Sequence, residues 1–255
     1  MNSGVKRLPV IGSLVPVVGS ATFPPRNRLL AGLTQSDFMR LKPHLTQVRL
    51  VANQTLFGPG ELVEHVYFIE DGMVSLTADT GADDPGISIG MIGPEGMAGF
   101  AALLGGRPVA FHHTMVQIPG SALRMPVARL QASLDSVPAL RARCLRYLDA
   151  LAIQISQIGA CNGRHRLPER CAYWLLAAFD CTKGHELPLT QDGLSMLLGV
   201  HRPGVTIAIG ALQDAGLIRS ARGKIEILDH AGLERTACGC YRLVRDQFDR
   251  LLACG

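Results

Sequence analysis

The sequence has few aromatic residues and little net charge, and each scarcity excludes a class of function. Phe, Trp and Tyr make up 5% of the 255 residues, too few for an aromatic platform that stacks single-stranded bases. A net charge of +4 excludes a polybasic tail or a histone-like binder. No apolar run reaches the roughly 18 residues of a membrane-spanning helix, so we expect no membrane partner. Hydrophobic residues still make up 47%, enough to bury the core of one large or two modest domains.

Cysteine is absent from the first 143 residues, and the seven cysteines that follow lack the spacing of a disulfide framework. The one close pair, Cys238 and Cys240, lacks the CxxC spacing that recurs in zinc sites. Positions i and i+2 of a helix also point to different faces. We therefore expect reduced thiols, no metal site and no cofactor, and the role of this pair stays open.

Catalytic patterns are missing as well. The Gly-rich stretch Gly90–Gly106 lacks the Lys-Ser/Thr of a phosphate-binding loop, and no nucleophile stands beside a base. His112 and His113 are adjacent on a predicted strand and point to opposite faces, so they cannot easily hold one metal together. We expect the protein not to be an enzyme.

The charge that is present is unevenly distributed along the chain. Residues 1–60 carry +6, residues 61–136 carry −6 and residues 137–255 carry +4, which indicates domains with different partners. Of the 25 basic residues, 21 are Arg. This excess reflects either GC-rich codon usage or bidentate recognition of phosphate and guanine.

The first 27 residues are rich in Pro and Gly and show no sustained period, which predicts a flexible leader. Lys6 and Arg7 precede an apolar stretch that loosely resembles a secretory signal, but Pro9 and Pro16 interrupt it. We favour a leader, or a start codon placed upstream, and a cytoplasmic protein.

The sequence pattern of residues 28–136 predicts an antiparallel β-roll, which begins with a short helix capped near Thr34. Short apolar runs alternate with Gly, Pro and Asp at intervals of about ten residues. An Asp-Gly turn at Asp71-Gly72 predicts a hairpin. The predicted strands are His65–Ile69, Met73–Thr77, His112–Ile118 and Ala122–Met125.

Residues 137–162 predict a long helix with apolar residues at heptad spacing, ending at Asn162-Gly163. We interpret the seam as a dimer contact; the alternative is an amphipathic helix packed on its own domain. The seam residues are Cys144, Leu148, Leu151, Ile155 and Ile158.

Residues 163–255 predict a winged helix-turn-helix domain with a helical tail. The stretch Thr190–Ile209 has helix-turn-helix spacing, with Gly199 at the turn and a second helix from His201 or Arg202. A small hairpin follows at Leu217–Ser220 and Lys224–Leu228. Basic residues concentrate on the second helix and this wing, where phosphates would lie.

Arg202 is the best candidate to read guanine O6 and N7. The tripeptide Arg164-His165-Arg166 either contacts DNA or is solvated at the hinge. In the tail, we expect Leu243, Phe248, Leu251 and Leu252 to pack on the winged domain or a partner. The full set of predicted DNA-binding residues is Thr190, Gln191, His201, Arg202, Gly204, Thr206, Arg219, Arg222 and Lys224.

The order of these parts resembles the Crp/Fnr family of bacterial transcription regulators from about Asn27 to Leu228. The matching stretches are Leu56–Glu61, Val66–Leu76 and Leu189–Ile227 with its Leu-Gly-Val-His-Arg. The resemblance implies an α+β protein with a cyclic-nucleotide-binding-like β-roll, a dimerisation helix and a winged helix-turn-helix. It also implies a homodimer that binds a partly palindromic duplex DNA site, with RNA polymerase as a further candidate partner.

Departures from the family pattern limit what the resemblance implies. Cyclic-nucleotide-binding members carry a Gly-Glu step and then an Arg-Ser or Arg-Thr pair, but here Phe100 stands at the Glu position and Ala110-Phe111 at the pair. We predict no cAMP binding, because a buried phosphate without a cation would be costly. Fnr-type members hold an iron–sulfur cluster on N-terminal cysteines, which this chain lacks. The candidate effector pocket comprises Gly96, Gly99, Phe100, Arg107, Ala110 and Phe111.

The recognition helix departs too, since Pro203 and Ile207 replace the Glu and second Arg that family members often carry. We expect a DNA-binding regulator that responds to a signal other than cAMP. The alternative is a ligand-sensing protein whose winged domain mediates protein interaction.

Overall fold

The computed structural model describes residues 23–81, 86–182, 184 and 186–253. Most of the predicted leader, residues 1–22, lies outside these ranges. Asn27 is buried, and its amide donates to the carbonyls of Ile69 and Gly96 at 2.9 and 2.7 Å. We therefore assign Asn27, at the end of the predicted leader, to the β-roll.

The helices are α1 (Arg28–Ala31), α2 (Gln35–Leu41), α3 (Val127–Ser136), α4 (Pro138–Arg164), α5 (Leu167–Asp180), α6 (Gln191–Leu198), α7 (Arg202–Asp214), α8 (His230–Thr236) and α9 (Cys240–Leu252). The strands are β1 (Thr46–Leu50), β2 (Thr55–Phe57), β3 (His65–Ala78), β4 (Ile87–Ile92), β5 (Met97–Ala98), β6 (His113–Pro126), β7 (Glu186–Leu187), β8 (Ile218–Ala221) and β9 (Lys224–Ile227).

An antiparallel sheet in the order β1-β6-β3-β4 forms the β-roll, with β2 beside β6 and β5 beside β3. The hairpin predicted at Asp71-Gly72 is wrong, because β3 runs through both residues. The two strands predicted from His112 to Met125 are likewise one strand, β6. Register shifts between β3 and β6 bend both strands at this point. A Cβ atom on Gly120 would lie 2.0 Å from the Asp71 carbonyl, so the bend requires a close backbone approach there.

The long helix α4 extends to Arg164, two residues beyond its predicted end at residue 162. Its predicted seam needs correction, since Cys144, Leu151 and Ile158 are each no more than 2% exposed within one protomer. The residues lie against the protomer's own cores, as the alternative interpretation required. Leu148 and Ile155 are half-buried and remain accessible in part.

A different row of α4 faces solvent with the same heptad spacing. Leu145 is 56% exposed, Ala152 and Gly159 are exposed, and Leu148 and Ile155 complete the row. We call these five residues the exposed α4 row. A periodic pattern thus marks two adjacent faces of one helix, and packing decides which one the protomer buries.

Helices α5 to α7 and the small sheet β7-β9-β8 form the C-terminal domain. Helix α9 returns to pack against α4, where the rings of Phe248 and Tyr147 are 6.5 Å apart. The tail packs elsewhere than on the predicted winged domain, since Phe248 and Leu252 lie in the core of the β-roll and α4, with Leu251 packed against it. Leu243 is 42% exposed. The Arg143 guanidinium donates to the carbonyls of Leu29 and Leu252, so the tail is tied to both α4 and the β-roll.

Candidate nucleic-acid interface

Helices α6 and α7 meet at 105°, the geometry of a helix-turn-helix. Thr190 caps α6, with its Oγ1 accepting the Gly193 N–H at 3.0 Å. Gly199 ends α6 at a φ of +60°, as predicted, and a Cβ there would lie 2.5 Å from the Ile87 side chain. Glycine therefore satisfies both the left-handed backbone and the narrow space beside β4.

Helix α7 buries one face and presents the other to solvent. Val205, Ala208 and Leu212 are buried, as their spacing predicted. On the outer face, Arg202 and Thr206 are exposed and Ile207 is 73% exposed. The exposed isoleucine gives this helix an apolar side chain on its outer surface.

Two further predicted DNA-binding positions, His201 and Gly204, lie at the beginning of α7. His201 is the exposed residue that precedes the helix. Gly204 lies where a Cβ would approach Leu167 Cδ2 at 3.2 Å. The helix-weakening glycine therefore allows α7 to approach α5 closely.

The outer face of α7 contacts the beginning of α6. Arg202 Nε lies 3.6 Å from Asp192 Oδ1, and the Thr206 hydroxyl donates to Gln191 Oε1 at 3.1 Å. Thr190 also lies beside the wing, since a Cβ on Gly223 would be 3.5 Å from its Cγ2. The first turn of α6, the outer face of α7 and the wing tip thus form one surface, which we call the recognition surface.

The wing is a hairpin of β8 and β9 joined by Arg222 and Gly223, both with positive φ. Arg219 pairs with Glu226 at 2.9 Å. The Lys224 ammonium donates to Glu186 at 2.8 Å, which raises the pKa of Lys224 and lowers that of Glu186. Such exposed pairs are screened by solvent and contribute little to the stability of a fold.

Only four of the six residues predicted to form the effector pocket lie together in the structure. Gly99, Phe100, Ala110 and Phe111 line an apolar cavity of about 20 Å³, which has room for about one water molecule. Arg107 is exposed and does not line it. Gly96 lies elsewhere, against the ring of Tyr147.

A larger cavity of about 270 Å³ lies between the β-roll and the C-terminal helices. Its lining includes Glu95, Asp180, Tyr241 and Arg245. Burial raises the pKa of the Glu95 and Asp180 carboxyls, and it also raises that of Tyr241. No local sequence pattern indicates this cavity, because its walls come from segments distant in the chain.

The structure brings Cys238 and Cys240 together with Cys161 and His165, contrary to the expected divergence of the two thiols. Cys238 precedes α9 and Cys240 is its first residue, so the helix rule for i and i+2 does not apply. A hydrogen bond between the Cys161 and Cys238 thiols lowers the pKa of Cys238 to about 6 and raises that of Cys161. The spacing Cys-x₃-His at residues 161–165, one turn of a helix, was the available signal in the sequence.

No single helix of the described residues is long and apolar enough to cross a membrane, although the bent pair α6 and α7 passes that test jointly.

A β-roll, a long connecting helix and a winged helix-turn-helix together define a class of two-domain transcription regulators. Residues 47–136 match the cyclic nucleotide-binding domain, and residues 169–236 match the Crp-like helix-turn-helix domain. The chain is therefore a member of the Crp/Fnr family of transcription regulators, as the sequence resemblance predicted.

Named relatives and solved structures agree with this membership. The global nitrogen regulator of Nostoc sp. is 25% identical over 191 residues, which cover 72% of this chain and 85% of that protein. The transcriptional regulator SdrP of Thermus thermophilus is 29% identical over 184 residues, which cover 68% and 84%. The fold is shared with FixK2 from Bradyrhizobium japonicum, with a TM-score of 0.64, 16% identity and coverage of 76% and 98%.

Proposed function

We propose that the protein binds a partly palindromic duplex DNA site as a homodimer, through its recognition surface. The observation that carries the proposal is the contact of α6, α7 and the wing in one exposed surface. Arg202 and Ile207 project from α7, while Arg219, Arg222 and Lys224 project from the wing. In the proposed complex, α7 would read the bases and the neighbouring cations would bind the phosphates.

Arg202 would leave Asp192 and donate two hydrogen bonds to a guanine. The exposed Ile207 side chain suits the methyl group of a thymine, which adds an apolar contact to the readout. Thr190 stands at the N-terminus of α6, where backbone N–H groups favour a phosphate.

A dimer would form through the exposed α4 row, because its heptad spacing suits a parallel helix pair. Two-fold symmetry would then present two α7 helices to two half-sites. Binding of RNA polymerase as a further partner remains a prediction.

The signal is proposed to be something other than a cyclic nucleotide. The cavity at the predicted effector position encloses about 20 Å³, far below the roughly 300 Å³ at which ligand pockets begin. Arg107, the one cation of the predicted set, is exposed outside that cavity.

The test begins by selecting the bound sequence from a pool of random duplexes with the wild-type protein. Arg202→Ala should then weaken binding to that sequence by about 1–3 kcal/mol and relax preference at one base pair per half-site. Arg222→Ala should weaken all sequences alike and reduce the salt dependence of log K by about one unit. Arg242→Ala, an exposed arginine on α9, serves as the control.

Two outcomes would contradict the proposal. If Arg202→Ala keeps the sequence preference of the wild-type protein, Arg202 does not read a base. Binding to duplex DNA without any salt dependence would favour the rival function, in which the winged domain binds a protein.

A further inference from the structure

We propose that Cys161, His165, Cys238 and Cys240 bind one zinc ion that fastens the C-terminal tail to the hinge of the DNA-binding domain. All four residues lie outside the segments 47–136 and 169–236 that match the family. The inference concerns metal binding and does not depend on DNA recognition.

The four ligand atoms already have the spacing of a single tetrahedral site. All lie within 4.8 Å of one another, with Cys161 Sγ 3.4 Å from Cys238 Sγ and Cys240 Sγ 3.5 Å from His165 Nδ1. Zinc–sulfur bonds of about 2.3 Å place tetrahedral sulfur ligands roughly 3.8 Å apart. Three thiolates and one imidazole form a common structural zinc set.

The local structure of the chain positions each ligand. Cys161 and His165 are one turn apart at the end of α4, and Cys238 and Cys240 flank Gly239, the residue that precedes α9. Gln157, one turn before Cys161, donates its Nε2 hydrogen to Cys240 Sγ at 3.1 Å. In metal sites, N–H groups that donate to the ligand sulfur atoms hold those ligands in position.

A buried cation next to the cluster supplies an independent argument. Arg170 is 8% exposed, and among the described residues no carboxylate lies within ion-pair distance of it. Its Nε atom is buried and has no hydrogen-bond partner among the described residues. Zinc bound by three thiolates and a neutral imidazole forms a site with one net negative charge. That site would balance the positive charge of Arg170.

Arg170 also links the cluster to the helix-turn-helix. Its guanidinium donates to Asn162 Oδ1 at 2.7 Å and to the Leu198 carbonyl at the end of α6. Zinc would therefore join the end of α4, the beginning of α9 and, through Arg170, the turn before α7.

The test measures metal in the full-length protein, purified without chelator under anaerobic conditions. Mass spectrometry of the metal content should find one zinc ion per protomer. Cobalt(II) added to the chelator-treated protein should give the charge-transfer and d–d bands of a tetrahedral thiolate site. Cys238→Ser and Cys240→Ser should lose zinc, whereas Cys144→Ala, which removes a buried thiol from the same helix as Cys161, should retain it.

Chelation should also lower the Tm of the wild-type protein by at least about 5 °C and leave the Tm of Cys238→Ser unchanged. If a serine variant fails to fold, the cobalt spectrum of the wild-type protein still tests whether the site binds a metal ion. The proposal is overturned by wild-type protein that takes up neither zinc nor cobalt, by iron with acid-labile sulfide in place of zinc, or by a Cys161–Cys238 disulfide in the anaerobic preparation.

Discussion

The Glu95 carboxyl lies in the cavity between the β-roll and the C-terminal helices, where burial favours its protonated form. Its Oε1 accepts the Gly93 N–H at 2.7 Å, which offsets burial only in part. The pKa of Glu95 in the folded protein is consequently raised above its ordinary value of 4.5. Between the unfolded and the folded pKa, the folded state holds more protons than the unfolded state.

The free energy of unfolding is therefore expected to fall as pH rises from below 4.5 through the folded pKa of Glu95. Glu95→Gln should flatten this decline and stabilise the protein at neutral pH, because a neutral amide keeps the acceptor without the buried charge. Denaturant unfolding over a pH series measures both effects. The wild-type protein is the reference, and a slope in Glu95→Gln identical to that of the wild type would contradict the prediction.

At the scale of elements, the turn between α6 and α7 sets the direction of the outer face of α7. Gly199 adopts positive φ and has Ile87 of β4 directly beside it. Gly210, inside α7, has a helical backbone, and a Cβ there would meet nothing within 4 Å. The turn therefore requires glycine at position 199, whereas neither the backbone nor the packing of α7 requires glycine at position 210.

Gly199→Ala should destabilise the protein by about 1–3 kcal/mol, because alanine is strained in the left-handed region and would press on Ile87. Gly210→Ala should stabilise it by about 0.5–1 kcal/mol, since alanine loses less backbone entropy in a helix. Denaturant unfolding of both variants checks the pair. Equal effects of the two substitutions would show that the turn does not require glycine.

At the scale of the whole molecule, α4 contacts the β-roll, the C-terminal domain and, in our proposal, a second protomer. Its buried side holds Cys144, Leu151 and Ile158, and its solvent side holds the exposed α4 row. In our proposal, this helix connects the β-roll and the C-terminal domain directly to the second protomer.

Leu145→Glu should convert the dimer to monomer, because it places a charge at the most N-terminal residue of the proposed apolar helix contact. Arg146→Glu, the neighbouring exposed position off the row, is the matched control and should remain dimeric. Sedimentation equilibrium measures both. A dimeric Leu145→Glu, or a monomeric wild type, would exclude this interface.

Local signals allowed much of the fold to be predicted. The cap at Thr190, the left-handed Gly199 and the inward spacing of Val205, Ala208 and Leu212 each depend on neighbours within a few residues. The Asp71-Gly72 turn failed for a long-range reason, since its bend is matched by a second bend in β6. A dipeptide signal cannot distinguish a chain reversal from a bulge that a distant strand completes.

What the sequence alone determined is the order of the parts: β-roll, long helix, helix-turn-helix and wing. Periodicity and capping residues specify elements, and a family pattern specifies their succession. The tertiary structure alone decided which face of α4 is buried and which residues meet at the hinge. Cys161 and Cys238 are 77 positions apart, and only the return of α9 along α4 brings their sulfur atoms together.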